Sequence, residues 1–155
     1  MSDSIKSQLH TALTAAMKAR DELVVSALRQ ALSAIAVAET AGEEAVVLSD
    51  EQVVAELAIE VRKHHETADA FVTAGRPERA ERSRAEAAVL EAYLPAALTD
   101  DDLQRLIGEE IAAAAAGGAE GMKAMGRVVA AVRAKAGPTA DGAKIAAMVK
   151  AALAG

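Results

Sequence analysis

The sequence has no cysteine and almost no aromatic residues. Among 155 residues there are no Trp, one Tyr and one Phe, although 52% of the residues are hydrophobic. Without cysteine, disulfides, thiol catalysis and thiolate metal ligands are excluded, and the chain is compatible with the cytoplasm. The apolar residues are mostly Ala, Val, Leu and Ile. Such side chains suit closely packed helices, and alanine has the highest helix propensity.

Long apolar segments are also missing. No uninterrupted apolar run reaches the roughly 18 residues that a membrane-spanning helix needs. The first ten residues, MSDSIKSQLH, lack the apolar core of a secretory signal. We therefore expect a soluble, cytoplasmic protein with no membrane partner.

Apolar residues recur at helical spacing through most of the chain. In the first predicted helix, Ile5, Leu9, Leu13 and Met17 follow one another every four residues. No stretch alternates polar and apolar residues convincingly, so no strand is predicted. Similar stripes predict further helices over about 22–41, 50–74, 77–94, 100–116, 122–136 and 141–154.

The boundary between two predicted domains lies at Pro95. This proline forces Leu94 out of helical geometry, and Thr99 is placed to cap the helix that follows. The sequence therefore predicts an all-α fold. It consists of a larger N-terminal helical domain, residues 1–95, and a small three-helix C-terminal domain, residues 96–155.

The end of the chain is basic, although the whole chain has a formal net charge of −6. From Gly117 onward there are six basic residues and only two acidic ones, Glu120 and Asp141. On a helical wheel, one face of the helix over 122–136 is predicted to be core, and most of the cations lie elsewhere. The predicted core face contains Met122, Met125, Val129, Val132 and Ala136.

Two interpretations of this basic segment remain open. Charge alone favours a simple solvated surface. The alternative is contact with phosphates, where Lys and Arg release counterions. The segment has no aromatic residue for base stacking, which disfavours single-strand binding of the stacking type and leaves contact with the backbone of a folded RNA open. The candidate nucleic-acid-binding residues are Lys123, Arg127, Arg133, Lys135 and Lys144.

Candidate catalytic groups are few. His64 lies on an apolar stripe and is predicted to pack at a seam between helices, with Glu60 four residues earlier as a hydrogen-bond partner. The neighbouring residues do not form a recognised metal-binding spacing. No nucleophile elbow, Walker or dinucleotide-binding motif is present. We therefore predict no catalytic residue, no metal and no cofactor.

An arginine cluster at residues 76–84 is interleaved with glutamates. Glu78 and Arg82 are four residues apart in the favourable orientation for an ion pair on a helix. This spacing favours an ion-paired solvent face rather than an anion-binding site.

Six short stretches, taken together, resemble the YqeY-like proteins. In chain order they are MKARD at 17–21, LR at 28–29, AGRP at 74–77, EAYLP at 91–95, MGRVV at 125–129 and ADG at 140–142. The C-terminal module of that family resembles the tail domain of the B subunit of the tRNA-dependent amidotransferase. The resemblance implies a helical domain joined to a compact three-helix domain, with Arg127 and Lys135 at basic positions of the family pattern. In the amidotransferase the tail domain helps to hold tRNA, while amide transfer and ATP use belong to domains without a counterpart in this sequence.

Three hypotheses follow. The leading one is a non-catalytic cytoplasmic protein that contacts tRNA or a tRNA-handling complex through its C-terminal domain. The second is a protein-interaction module without RNA binding, in which a groove between the two domains receives a partner helix. The third, implied only by kinship, is an accessory role in carbon–nitrogen ligase activity with glutamine as amido-N-donor.

Overall fold

The computed structural model describes residues 3–137 and 140–155. Within these ranges the chain forms seven α-helices and one short 3₁₀-helix, and it forms no strand. The all-α prediction is confirmed. None of the helices in the described ranges is long and apolar enough to cross a membrane. The α-helices are α1 Ile5–Ala19, α2 Glu22–Glu39, α3 Asp50–Thr73, α4 Pro77–Glu91, α5 Asp100–Ala116, α6 Met125–Ala136 and α7 Gly142–Ala154.

The chain divides into two compact units, Met1–Leu94 and Pro95–Gly155, which we call the N-terminal unit and the C-terminal unit. The N-terminal unit contains α1 to α4, and the C-terminal unit contains α5 to α7. Each unit has its own aliphatic core. The largest fully buried side chains are Leu9, Leu28, Ile35, Val53, Leu57 and Leu90 in the first unit and Val128, Val132, Ile145 and Val149 in the second.

Two helices begin at capping boxes. The hydroxyl of Ser49 accepts a hydrogen bond from the backbone N–H of Gln52 at 3.2 Å, and the side chain of Gln52 accepts one from the N–H of Ser49 at 2.9 Å. Thr99 and Asp102 form the same reciprocal pair at the start of α5. Each box satisfies backbone donors that the first turn of a helix leaves unpaired. The starts of α3 and α5 are therefore set locally. The sequence predicts both, since residues 49–52 have the form of a capping box and Thr99 is placed to cap the next helix.

Two methionines predicted in the core are exposed. Met17, in the last turns of α1, is 50% exposed although it continues the apolar stripe of Leu9 and Leu13. Met122 is 52% exposed, because it lies in the 3₁₀-helix Gly121–Ala124 that precedes α6. A 3₁₀ turn has about three residues instead of 3.6, so it shifts the register of the apolar face.

Candidate nucleic-acid interface

The C-terminal unit as a whole is electrically neutral. Residues 95–155 contain seven basic and seven acidic side chains, whereas residues 1–94 contain ten basic and sixteen acidic ones. The excess of cations after Gly117 is cancelled by α5, which precedes it and packs against α6 and α7. This acidic helix contributes five carboxylates, at Asp100, Asp101, Asp102, Glu109 and Glu110.

Two of the five candidate cations are ion-paired with α5. The Nζ of Lys135 lies 2.5 Å from Oε1 of Glu110, and this contact holds the pKa of Lys135 above its usual value. The Nζ of Lys144 lies 2.5 Å from Oδ1 of Asp100. Both lysines remain substantially exposed, so the pairs are surface contacts that join α6 and α7 to α5. An incoming polyanion would have to compete with these carboxylates.

The other three candidates, Lys123, Arg127 and Arg133, are exposed and make no ion pair with any residue in the described ranges. We call them the unpaired cations. Lys123 lies on the 3₁₀-helix, Arg127 in the first turn of α6 and Arg133 in its last turn.

The two arginines lie on opposite flanks of α6. Six residues correspond to a separation of about 120° around a helix. Val128 and Val132 lie on the opposite side of the helix from the sector between the two arginines, on the buried face that meets the rest of the unit. Arg127 therefore reaches one neighbouring helix and Arg133 reaches another.

Each arginine lies against a glycine. A methyl group placed at Gly117 would be 3.1 Å from Nη1 of Arg127, and one placed at Gly142 would be 3.2 Å from Cζ of Arg133. Gly117 is the C-cap of α5, so the cation of Arg127 lies at the negative end of that helix dipole. Gly142 is the first residue of α7. Both guanidinium groups therefore occupy space beside a glycine of a neighbouring helix, where another residue would place its side chain, and both arginines remain exposed.

The predicted turn after α6 falls partly outside the described residues, which exclude Pro138 and Thr139. Beyond it, α7 begins with Asp141 as its N-cap. The carboxylate accepts hydrogen bonds from the backbone N–H groups of Ala143 at 2.9 Å and Lys144 at 3.3 Å. The start of α7 is therefore capped by its own side chain.

His64 is buried as predicted, at the seam between α3 and α4, in a cluster centred on Glu86. Its Nδ1 lies 3.6 Å from Oε2 of Glu86. Glu86 also accepts hydrogen bonds from the side chains of Gln30, at 3.1 Å, and Ser26, at 3.5 Å, and Oε1 lies 3.3 Å from Nε of Arg82. We call these five side chains the Glu86 cluster. They link α2, α3 and α4.

The partners predicted for this region from sequence spacing are wrong. Glu60 contacts Lys63 at 3.3 Å and not His64. Arg82 pairs with Glu86 and not with Glu78. For His64, a carboxylate from α4 replaces the one that spacing within α3 suggests. Arg82 instead pairs with the glutamate four residues after it on α4 rather than with the one four residues before it.

The burial of Glu86 is not among the sequence predictions, although its position along α4 indicates it. It lies on the stripe of α4 that is buried, together with Ala80, Ser83, Ala87 and Leu90. A glutamate at a core position requires partners, since burying an unpaired carboxylate is very unfavourable. The oxygens of Glu86 are occupied by these partners, which indicates a structural role. Across the described part of the chain, no group of three or more His, Asp or Glu side chains is arranged to hold a metal ion.

Residues 6–153 match the family model described as Yqey-like protein. The chain belongs to the YqeY-like family. In this YqeY-like protein, the stretch MGRVV begins α6 and carries Arg127, and the stretch ADG begins α7 and carries Gly142. No curated protein matches the chain.

Proposed function

We propose that this YqeY-like protein is a non-catalytic helical protein that contacts tRNA, or a complex that handles tRNA, through its C-terminal unit. The observation that carries the proposal is the set of unpaired cations, Lys123, Arg127 and Arg133. They are exposed, and in the described ranges no carboxylate neutralises them. Such groups contact phosphates without first breaking an ion pair.

The remaining candidates have a secondary part in the proposal. Lys135 and Lys144 are ion-paired with Glu110 and Asp100, and each pair must break before the lysine contacts a phosphate. Each of these lysines should therefore contribute less binding free energy than an unpaired cation. We therefore expect the unpaired cations to supply most of the affinity. With about three phosphate contacts, the logarithm of the affinity should fall with the logarithm of the salt concentration with a slope of about −2 to −3.

The target that fits this surface is folded RNA rather than unstacked single strands. The single Tyr and the single Phe are both in residues 1–94, so the C-terminal unit has no ring on which a base could stack. Charge and shape recognition of an RNA backbone needs no such ring. The relation to the amidotransferase tail domain agrees with this target, but it rests on sequence resemblance alone.

Titration of bulk tRNA tests the proposal. At about 50 mM salt, the triple variant Lys123→Gln, Arg127→Gln and Arg133→Gln should bind at least about tenfold more weakly than the unmodified protein, because three phosphate contacts are lost. Fluorescence anisotropy of labelled tRNA measures the affinity.

A matched control changes the net charge equally at exposed cations of the N-terminal unit, with Lys18→Gln, Arg62→Gln and Arg76→Gln. This control should retain most of the affinity. Equal binding by both triple variants, or an affinity that does not change between about 50 and 200 mM salt, would overturn the proposal.

A second candidate, protein interaction, is favoured by a specific surface of the N-terminal unit. A cavity of about 550 Å³ between α2 and α3 is lined by Arg29, Val37, Glu60 and Lys63, among other residues. The side chain of Val37 is 68% exposed at its rim. Capture of a protein partner that survives nuclease treatment and is lost in the variant Val37→Asp would favour this function over RNA binding.

An accessory role in amide transfer is tested separately. Misacylated tRNA, glutamine and ATP are incubated with the purified protein, and amidated product is measured. Formation of product would contradict the non-catalytic part of the proposal.

A further inference from the structure

We infer that Gly117 and Gly142 are positioning residues, which leave the space that Arg127 and Arg133 occupy when they present their cations to an RNA phosphate. The inference rests on the proposed function, because it concerns how those two arginines act. It adds the two glycines beside these arginines to the candidate nucleic-acid interface.

The backbone at these positions does not itself require glycine. Gly117 has φ −88° and ψ 6°, which other residues adopt readily, and Gly142 is the first residue of α7 and lacks a positive φ. In contrast, Gly118 and Gly137 have φ values of 90° and 86°, where a Cβ is strained. What distinguishes glycine from other residues at 117 and 142 is therefore the space that it leaves for the neighbouring side chains.

The space at both positions is filled by a guanidinium group. A Cβ at Gly142 would lie 3.2 Å from Cζ, 3.3 Å from Nε and 3.4 Å from Nη2 of Arg133. A Cβ at Gly117 would lie 3.1 Å from Nη1 and 3.4 Å from Nη2 of Arg127. The shortest of these separations, 3.1 Å and 3.2 Å, are tighter than ordinary van der Waals contact, so a Cβ at either glycine requires the guanidinium to shift by a few tenths of an ångström, and a larger side chain requires a larger shift.

Such contacts matter for binding because a free arginine side chain has many rotamers. Ordering it on a ligand is unfavourable, and a side chain that is already ordered loses less on binding. On this inference, the space that each glycine leaves open lets the guanidinium adopt one preferred position before RNA arrives. Filling that space should therefore weaken RNA binding without removing any charge.

The test compares Gly142→Ala and Gly142→Leu with the same substitutions at Gly126. Gly126 lies in α6 beside Arg127, and a Cβ there meets nothing within 4 Å. We expect the tRNA dissociation constant to rise about two- to tenfold for Gly142→Leu, less for Gly142→Ala, and to stay unchanged for both Gly126 variants. Gly117→Leu should act like Gly142→Leu, through Arg127.

A measurement on the free protein separates positioning from folding. The Nε–Hε resonance of Arg133 should shift and show increased mobility in Gly142→Leu, while circular dichroism and the melting temperature stay close to those of the unmodified protein. The double variant Arg133→Gln with Gly142→Leu should bind no more weakly than Arg133→Gln alone.

The outcomes for the two proposals are distinguishable. If Arg133→Gln binds tRNA as tightly as the unmodified protein, the proposed role of Arg133 in RNA contact fails. If Arg133→Gln weakens binding but Gly142→Leu and Gly117→Leu do not, only the inference about the glycines is overturned. An unchanged Arg133 resonance in Gly142→Leu would overturn it as well.

Discussion

The two units place their polar side chains differently. All four buried polar side chains of the described residues, Glu39, His64, Ser83 and Glu86, lie in the N-terminal unit. Every buried side chain described in the C-terminal unit is aliphatic. In the N-terminal unit, buried carboxylates with several partners thus help to hold the helices together. In the C-terminal unit, the helices are held by apolar packing and by ion pairs at the surface. In the described part of the C-terminal unit, no charged side chain is therefore committed to the core.

The largest expected effect is the loss of the Glu86 cluster. In Glu86→Ala, Ser26 and Gln30 lose their acceptor and the buried His64 loses its neighbouring carboxylate, so the free energy of unfolding should fall by about 2 kcal/mol. Denaturant unfolding followed by the fluorescence of Tyr93 measures this, since Tyr93 packs against the core of the N-terminal unit. The control Glu81→Ala, at an exposed position of α4, should change stability by less than about 0.5 kcal/mol. Equal stability of the two variants would contradict a structural role for the buried carboxylate.

Loss of a helix cap should have an intermediate effect that is similar in the two units. Ser49→Ala and Thr99→Ala should each lower stability by about 1 kcal/mol, because each capping box satisfies backbone donors of the first turn. Hydrogen exchange of the first amides of α3 and α5 reports each cap directly. The variants Ser49→Asp and Thr99→Ser keep a capping oxygen and should retain protection. Unchanged exchange in both alanine variants would show that these helix starts do not depend on their caps.

The smallest effects concern pH, and the two units should differ in them. In the N-terminal unit, a hydrogen bond from Lys6 at 2.5 Å, together with the N–H of Leu48, holds the pKa of Glu39 below its ordinary value of 4.5. This contribution to stability is present above pH 4.5 and is lost as the pH falls through the lowered pKa. In the C-terminal unit, Glu110 holds the pKa of Lys135 above 10.5, so its contribution is present below that pH and is lost as the pH rises through the raised pKa.

Melting temperatures measured against pH check both signs. Glu39→Gln should reduce the loss of stability in acid, and Lys135→Gln should reduce the loss in alkali. If Glu39→Gln loses as much melting temperature in acid as the unmodified protein, the role of Glu39 is contradicted. An equal loss in alkali for Lys135→Gln would contradict the role of Lys135.

The sequence by itself determined the features that depend on neighbours three or four residues away. Helical periodicity and alanine content predict the all-α fold, and short polar residues predict the starts of α3 and α5 at Ser49 and Thr99. The spacing of apolar residues also predicts that His64 is buried. These features are local because caps and apolar stripes act within one helix.

Only the tertiary structure decided which charges meet. The basic segment after Gly117 is balanced by α5, and Lys135 and Lys144 find Glu110 and Asp100 on that helix. The partners of Glu86 come from three helices, and the contact of Arg133 with Gly142 joins the end of α6 to the start of α7. Such pairs depend on how helices cross and on which rotamers fit between them, and spacing along the chain does not encode either.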